Sequence, residues 1–217
     1  MIICLVAGGP PELLPDLGIY QSYKPIWAGI DRGVFVLLEK GIKPHTAFGD
    51  FDSVNKHELS LITAQLGELD IQPSEKDETD MEIAFNWALS QKPEKIFIFG
   101  ATGGRLDHMF ANIQLLSREQ VLLDSDEMEI HIVDRLNKIT AKKPGTYHIS
   151  RQPEFPYVSF IPVSREVKGI TLKGFKFPLD NMDIKMGSSL CVSNELISNN
   201  GTFSFTEGIL LVVRSRD

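Results

Sequence analysis

The chain has 217 residues, of which 42% are hydrophobic and 24% are charged, and its formal net charge is -7. This composition is typical of globular proteins, and the length allows one large domain or two small ones. The acidic excess argues against nucleic-acid binding as the main function, because phosphate backbones are bound by clustered lysine and arginine. An anionic small ligand is compatible with it when metal ions intervene.

Cys4 and Cys191 lie in apolar, strand-like segments, which predicts small core residues instead of a disulfide or a metal site. The first residues carry no basic region ahead of their apolar run, so they predict a strand and not a signal peptide. No apolar run approaches the roughly 20 residues of a membrane-spanning helix. We therefore expect a soluble, cytoplasmic protein with no membrane or nucleic-acid partner.

Short apolar runs alternate with helix-like segments through the first 124 residues. The predicted strands are residues 2–7, 25–30, 45–48 and 95–99, with a weaker candidate at 68–72. The predicted helices are residues 33–40, a segment marked by Leu59, Ile62 and Leu66, residues 77–91, and a segment marked by Leu106, Met109, Phe110, Ile113 and Leu116. This alternation predicts an α/β domain over residues 1–124, doubly wound around a mainly parallel sheet.

Helical periodicity disappears from about residue 124, and short strand-like runs separated by turns take its place. The predicted strands are residues 129–133, 138–141, 146–149, 157–163, 169–172, 188–193, 202–205 and 209–213. Lys143-Pro144-Gly145 and Asn199-Asn200-Gly201 are typical turn sequences between them. The pattern predicts an all-β domain over residues 125–217, either a sandwich or a small barrel.

Two carboxylates, Asp50 and Asp52, stand one residue apart in the segment from Gly49 to Ser53, directly after a predicted strand. At roughly 4 Å, two like charges repel by about 4 kcal/mol in a partly buried site. Either a bound cation lies between them, or both point into water from an Asx-rich turn. The pentapeptide alone is compatible with both interpretations.

Further acids follow the predicted strands or begin a helix. Asp31 follows the second strand, and Asp77 and Asp80 lie at the start of the clearest helix. Ligands of open α/β sheets bind beyond the carboxyl ends of the strands, so Asp31 and Asp50 could converge there. Mg²⁺ prefers such hard oxygen ligands and usually takes one or two carboxylates plus substrate phosphates. As structural alternatives, Asp77 is a helix N-cap and Asp80 is an acid stabilised by the helix dipole.

The loop Gly100-Ala101-Thr102-Gly103-Gly104 separates a predicted strand from a predicted helix. Its glycines would let backbone N–H groups approach a phosphate, although an ordinary strand-to-helix turn has the same composition. Arg105 follows directly, and its guanidinium suits the oxygens of a phosphate. His108 and Lys76 are further candidate contacts, but a lone histidine is more often structural and a lone lysine more often lies at the surface.

Four blocks of sequence occur in a recognisable order. They are Asp31 after Gly29, the segment from Gly49 to Ser53, Glu75-Lys76-Asp77-Glu78-Thr79-Asp80-Met81-Glu82, and Gly100 to His108. Together they resemble the bacterial thiamine pyrophosphokinase family. In the second half, Gly174-Phe175-Lys176-Phe177-Pro178-Leu179 resembles the family's aromatic-Pro-Leu segment, and Ser193-Asn194-Glu195 resembles its late Ser-Asn-Glu motif. The chain departs from the family at Arg32, where members often have a second glycine.

The resemblance implies an α/β catalytic domain over residues 1–124 that binds ATP and Mg²⁺, and a β-sandwich over residues 125–217 that binds thiamine and forms a homodimer. The active sites would lie between subunits. The implied reaction converts ATP and thiamine into thiamine diphosphate and AMP.

The resemblance also implies roles for individual residues. Asp31, Asp50, Asp52 and Asp80 would hold the metal, and the catalytic residues would be Asp50, Asp52, Asp80 and Arg105. The ATP-binding residues would be Asp31, Lys76, Asp77, Thr102, Gly103, Gly104, Arg105, Asp107 and His108. Ser193 and Asn194 would bind thiamine.

Two other functions fit the same catalytic half. A related pyrophosphokinase could use another heterocyclic alcohol, for instance of the pterin type, and the β domain would decide the acceptor. A non-catalytic nucleotide sensor would bind ATP without releasing AMP, but the number of acids disfavours it, since binding alone is better served by lysines.

Overall fold

The computed structural model describes residues 1–51, 54–66, 78–123 and 128–217. The chain forms two compact units, the first being Met1–Leu115 with Glu127–Arg135 and the second Leu116–Asp126 with Leu136–Asp217. The weak strand candidate at 68–72 and the predicted boundary at residue 124 lie outside the described residues. Within the described ranges, no helix is long and apolar enough to cross a membrane.

A parallel sheet forms the centre of the first unit. Its strands are β1 (Ile2–Val6), β2 (Ile26–Ile30), β3 (Thr46–Phe48), β4 (Lys95–Phe99) and β5 (Glu129–Val133), in the spatial order β5-β4-β1-β2-β3. Ile3, Cys4 and Leu5 of the central strand β1 are completely buried. Strands covered on both faces are continuously apolar, which is why the four runs from β1 to β4 were visible in the sequence.

Helices follow the strands of this sheet along the chain. They are α1 (Gly18–Gln21), α2 (Arg32–Glu39), α3 (Lys56–Leu66), α4 (Asp80–Ser90) and α5 (Leu106–Leu115), and a short 3-10 helix covers Pro11–Leu13. The prediction that α4 begins at residue 77 was wrong, since it begins at Asp80. Thr79 is its N-cap, and the Thr79 side chain accepts a hydrogen bond from the backbone N–H of Glu82 at 3.2 Å.

Helix α5 buries only part of the face that its apolar spacing predicted, since Met109 and Ile113 are partly buried. Leu106 and Phe110 are 62% and 58% exposed, whereas Asn112 and Leu115 are buried. The buried side of the helix faces the preceding loop, where the Asn112 amide Nδ2 donates to the carbonyl oxygen of Ala101 at 3.0 Å. This hydrogen bond therefore contributes to the orientation of α5. The hydrophobic periodicity alone had predicted that Leu106 and Phe110 face the core.

The second unit begins with α6 (Glu119–Leu123) and is built mainly of two antiparallel sheets. Its strands are β6 (Asn137–Lys142), β7 (Gly145–Ser150), β8 (Tyr157–Pro162), β9 (Glu166–Lys173), β10 (Leu179–Lys185), β11 (Asn194–Glu195), β12 (Asn200–Phe205) and β13 (Leu210–Ser215). One sheet has the order β11-β8-β13-β6 and the other β10-β9-β12-β7. Side chains of both sheets meet in one core, in which the rings of Phe160 and Phe203 lie 4.9 Å apart. This is the predicted sandwich.

The strand predicted at residues 129–133 is confirmed as β5, but it was assigned to the β half, whereas it pairs in parallel with β4 of the first unit. One further strand prediction was wrong, and one strand was missed. Residues 188–193 form turns and not a strand. Strand β10 was missed because Asp180, Asn181 and Asp183 have low strand propensity, which an exposed strand that pairs with β9 tolerates.

Candidate active site

A cleft of about 740 Å³ lies where the parallel strands of the first unit end. Its walls include residues 7–11 after β1, Asp31 and Arg32 after β2, Asp50 after β3, and Gly100, Ala101, Gly103, Gly104 and Arg105 after β4. Helices α4 and α5 add Asp80, Met81, His108, Met109 and Asn112. The carboxyl ends of parallel strands are where open α/β sheets bind their ligands, so this cleft is the candidate active site.

Three of the four acids predicted to act together line this cleft: Asp31, Asp50 and Asp80. The segments after β2 and β3 are joined by a hydrogen bond of 2.8 Å from the Asp31 N–H to the carbonyl oxygen of Phe48. Gly49 has φ +119°, and a Cβ atom there would lie 1.9 Å from Oδ1 of Asp31. Glycine therefore permits the close approach of Asp31 to the segment that carries Asp50. The fourth acid, Asp52, lies outside the described residues.

The donor chemistry of the cleft fits a magnesium ion that is shared with a substrate. Within the described ranges, no group of three or more His, Cys, Asp or Glu side chains is arranged to hold a metal ion alone. Mg²⁺ does not need one, because it commonly takes one or two carboxylates and completes its octahedron with phosphate oxygens and water. Asp31, Asp50 and Asp80 supply carboxylates along one cleft. Their role as metal ligands stays a prediction.

The glycine loop packs against the turn that follows β1. The Gly9 N–H donates to the carbonyl oxygen of Gly100 at 3.0 Å, and Gly100 has φ +63°. A Cβ atom on Gly100 would lie 2.2 Å from the carbonyl oxygen of Ala7. The two backbone segments can lie this close because neither carries a side chain at the contact. Gly103 and Gly104 also have positive φ angles and border the cleft, where exposed backbone could face a phosphate.

Two buried side chains, Asp134 and Asn112, form hydrogen bonds to this loop. The Thr102 hydroxyl donates to Oδ2 of Asp134 at 2.6 Å, and the two residues are 8% and 3% exposed. Asn112 holds the neighbouring carbonyl group of Ala101 and also borders the cleft. Thr102 was predicted to bind ATP, but its side chain is committed to Asp134, which leaves its backbone as the part that could meet a nucleotide. Asp134 was missed, although it follows a strand in the same way as Asp31.

Thr102→Val is expected to lower the free energy of unfolding by about 1.5–3 kcal/mol, the range for a hydrogen bond to a charged group. The KM for ATP should stay within about twofold of wild type, because the hydroxyl donates to Asp134 and Thr102 does not line the cleft. Urea denaturation and steady-state kinetics measure the two quantities. Thr63→Val is the matched control, since the exposed Thr63 hydroxyl donates to a neutral carbonyl group. A raised KM with unchanged stability would contradict the bracing role.

Arg105 borders the cleft as part of an ion pair with Asp107. Its Nη2 and Nε donate to the two carboxylate oxygens of Asp107 at 2.5 and 3.2 Å. Asp107 also accepts a hydrogen bond of 3.0 Å from the His108 N–H. Hydrogen bonding to Arg105, followed by this backbone contact, lowers the pKa of Asp107 to about 2, and the pair raises the pKa of Arg105. Arg105 and His108 line the cleft, whereas Asp107 balances the arginine charge beside it.

The residues predicted to bind thiamine lie on the second unit. Asn194 is 2% exposed, and its Oδ1 accepts from the Phe177 N–H at 3.0 Å while its Nδ2 donates to the Phe177 carbonyl oxygen at 2.8 Å. Its amide thus holds Phe177, whose side chain is mostly exposed. Ser193 is exposed and has φ +57°. Two residues predicted to bind ATP, Lys76 and Asp77, lie outside the described residues.

Two family models match successive parts of the chain. A family model for "Thiamin pyrophosphokinase, catalytic domain" matches residues 19–130, and one for "Thiamin pyrophosphokinase, vitamin B1 binding domain" matches residues 146–210. The chain belongs to the thiamin pyrophosphokinase family. The predicted family is therefore confirmed.

Relatives within the thiamin pyrophosphokinase family match the chain over its whole length. The thiamine pyrophosphokinase of Bacillus subtilis (strain 168) is 46% identical over 215 residues, which cover 99% of this chain and 99% of the relative. A crystal structure of thiamine pyrophosphokinase from Bacillus subtilis superposes with a TM-score of 0.95 at 45% identity and full coverage of both chains. Thiamin pyrophosphokinase from Geobacillus thermodenitrificans gives a TM-score of 0.92 at 51% identity and covers 100% of this chain and 98% of its own. The predicted fold class is confirmed.

Proposed function

We propose that this protein is a thiamine pyrophosphokinase, which transfers the pyrophosphoryl group of ATP to the hydroxyl group of thiamine and releases AMP. The observation that carries this function is the identity of 46% to the Bacillus subtilis thiamine pyrophosphokinase across 99% of both chains. The cleft of the first unit supports it, because acids and a glycine loop border the same space. Such a site can bind a metal–triphosphate complex.

In this reaction the thiamine hydroxyl attacks the β-phosphorus of ATP, and AMP leaves. Phosphoryl-type transfer has a loose transition state with charge spread over the non-bridging oxygens, so positioning and electrostatics dominate catalysis. Arg105 and the backbone N–H groups around Gly103 and Gly104 would interact with those oxygens, and their position at the cleft supports this role. Asp50 and Asp80 are the described carboxylates to which we assign catalytic roles.

Magnesium is the cofactor that we assign to this cleft. Asp31, Asp50 and Asp80 would hold it together with substrate phosphates, and the sequence adds Asp52 to the set. When bound, the ion supplies positive charge that offsets the repulsion between ATP and the carboxylates. The assigned roles of Lys76 and Asp77 in ATP binding rest on the sequence alone.

Thiamine is the acceptor that we assign to the second unit. Ser193 is exposed on that unit, and the Asn194 amide fixes the backbone at Phe177. We also propose a homodimer with active sites between subunits. Leu106 and Phe110 support it, because both are exposed apolar side chains on the helix that carries the cleft residue Met109. A cytoplasmic location stays a prediction from the sequence.

A coupled assay that detects both AMP and thiamine diphosphate tests the function. With Mg-ATP and thiamine, equal amounts of both products are expected. A pterin alcohol added in competition should leave the rate unchanged, whereas its conversion in place of thiamine would identify the alternative acceptor. If ATP binds but no AMP is released in the presence of either acceptor, the protein is a nucleotide sensor and the proposal is overturned.

A further inference from the structure

An ion pair connects the start of α2, next to Asp31, with the first turn of α3. Arg32 directly follows Asp31 and borders the cleft. Its Nε and Nη2 atoms both contact Oε1 of Glu58, each at 3.1 Å. The Glu58 side chain is 6% exposed and that of Arg32 is 42% exposed. The carboxylate is therefore buried, while the Arg32 side chain is partly exposed and borders the cleft.

The second carboxylate oxygen of Glu58 secures the start of helix α3. Oε2 accepts a hydrogen bond from the Asn55 N–H at 3.1 Å, and Oδ1 of Asn55 accepts one from the Glu58 N–H at 3.0 Å. This reciprocal pair is a capping box, which satisfies backbone donors that a helix N-terminus otherwise leaves unpaired. These contacts, the Asn55 backbone first and Arg32 after it, lower the pKa of Glu58, so it stays ionised at neutral pH.

The two carboxylate oxygens of Glu58 thus contact two different segments of the chain. Through Oε1 it holds the side chain next to Asp31, and through Oε2 it holds the chain shortly after Asp50. A buried carboxylate is costly without a partner, so the pairing with Arg32 is maintained whether or not a ligand is present. The cation at this wall of the cleft is accordingly positioned before ATP arrives.

A cation at the cleft would offset the negative charges of the carboxylates that line it and of bound ATP. Asp31, Asp50 and Asp80 line it, and ATP adds several negative charges. Arg105, which is paired with Asp107 and strongly exposed, is the other described arginine that lines the cleft. Glu58 holds the Arg32 guanidinium by a hydrogen bond from Nε and an ion pair with Nη2, and a guanidinium carries five N–H donors in a planar fork. Its Nη1 edge is therefore not part of the contact with Glu58 and can meet phosphate oxygens.

We propose that Arg32 binds the phosphates of ATP and that Glu58 is a positioning residue that orients Arg32 and fixes Asn55 at the start of α3. This inference rests on ATP being the substrate, as the proposed function states. The competing interpretation is that the pair only stabilises the packing of α2 against α3. The two differ in their effect on phosphate binding at unchanged fold.

Calorimetric titration with Mg²⁺ and α,β-methylene-ATP, which cannot release AMP, tests the proposal directly. Arg32→Lys keeps the charge but loses the fork, and it should weaken binding of the analogue by about tenfold. Glu58→Gln should weaken binding of the analogue by a similar factor. The double variant should bind the analogue no more weakly than the more affected single variant, because both substitutions disrupt the same phosphate contact of Arg32. In the assay of thiamine diphosphate formation, the KM for ATP should rise while the KM for thiamine stays within about twofold of wild type.

Glu129→Gln is the matched control, since Glu129 pairs with Lys95 at 2.8 Å in the same unit and does not line the cleft. It should leave binding of the analogue unchanged. If Glu58→Gln fails to fold, Arg32→Lys decides alone, because it leaves a cation opposite the buried carboxylate. Wild-type affinity in Arg32→Lys, or equal increases of both KM values, would overturn the proposal.

Wild-type protein separates this proposal from the proposed function. Binding of the analogue without formation of thiamine diphosphate would overturn the proposed function, and the Arg32 and Glu58 variants would still test the phosphate contact. If the wild type fails to bind the analogue, the phosphate contact is overturned as well.

Discussion

Asp50→Asn is expected to reduce the turnover of thiamine diphosphate formation by about 10²-fold or more, the scale of a lost electrostatic contact in a transition state. Asp50 lies at the cleft with Asp31 and Asp80, and asparagine has nearly the same shape without the charge. Since Asp50 is exposed, the fold should be unaffected. The rate of AMP release measures the effect on turnover, and a thermal melt measures the effect on stability.

Asp16→Asn is the control for this substitution, because Asp16 is an exposed acid of the same unit that does not line the cleft. It should have near-normal turnover. The sequence gives Asp52→Asn the same expected loss as Asp50→Asn. Near-normal turnover in both Asp50→Asn and Asp52→Asn would instead support the interpretation that the segment from Gly49 to Ser53 is an Asx-rich turn.

The acids of the cleft could be predicted because each is tied to a local sequence pattern. Asp31 and Asp50 follow short apolar runs that are buried on both faces, and β2 and β3 are neighbours in the sheet. The topology of a parallel sheet then brings the ends of the runs to one edge. The family resemblance supplied the acceptor, since no local pattern of the second half identifies thiamine.

Glu58 and Asn112 could not be found in the same way. A glutamate in the first turn of a helix is ordinarily a solvated residue that favours the helix dipole, and the sequence does not show that Arg32 lies opposite it. Asn112 looks like a polar residue on the outer face of α5, because Leu106 and Phe110 define the apolar spacing. The partners of these side chains are distant in sequence or lie across a loop, so the tertiary fold decides their burial.

Asp80→Asn is expected to raise the Mg²⁺ concentration for half-maximal activity by about tenfold and to lower turnover at saturating Mg²⁺ by about 10²-fold. Asp80 is the first residue of α4, so the N-terminus of the helix stabilises its negative charge where it borders the cleft. Replacing one carboxylate ligand weakens the hold on the ion without removing the other acids. Titration of Mg²⁺ at fixed ATP measures both effects, and a chelator should abolish wild-type activity until Mg²⁺ is restored.

Glu82→Gln provides a matched control, because Glu82 lies in the same helical turn but does not line the cleft. Glu82→Gln removes one negative charge from the helix N-terminus, as Asp80→Asn does. Any loss of activity that comes only from the interaction of that charge with the helix dipole therefore appears equally in Glu82→Gln and Asp80→Asn. A shift in Mg²⁺ dependence that is confined to Asp80→Asn therefore assigns the effect to a carboxylate at the cleft. Equal Mg²⁺ dependence in wild type and Asp80→Asn would remove Asp80 from the metal site and leave the ion to Asp31, Asp50 and the phosphates of ATP.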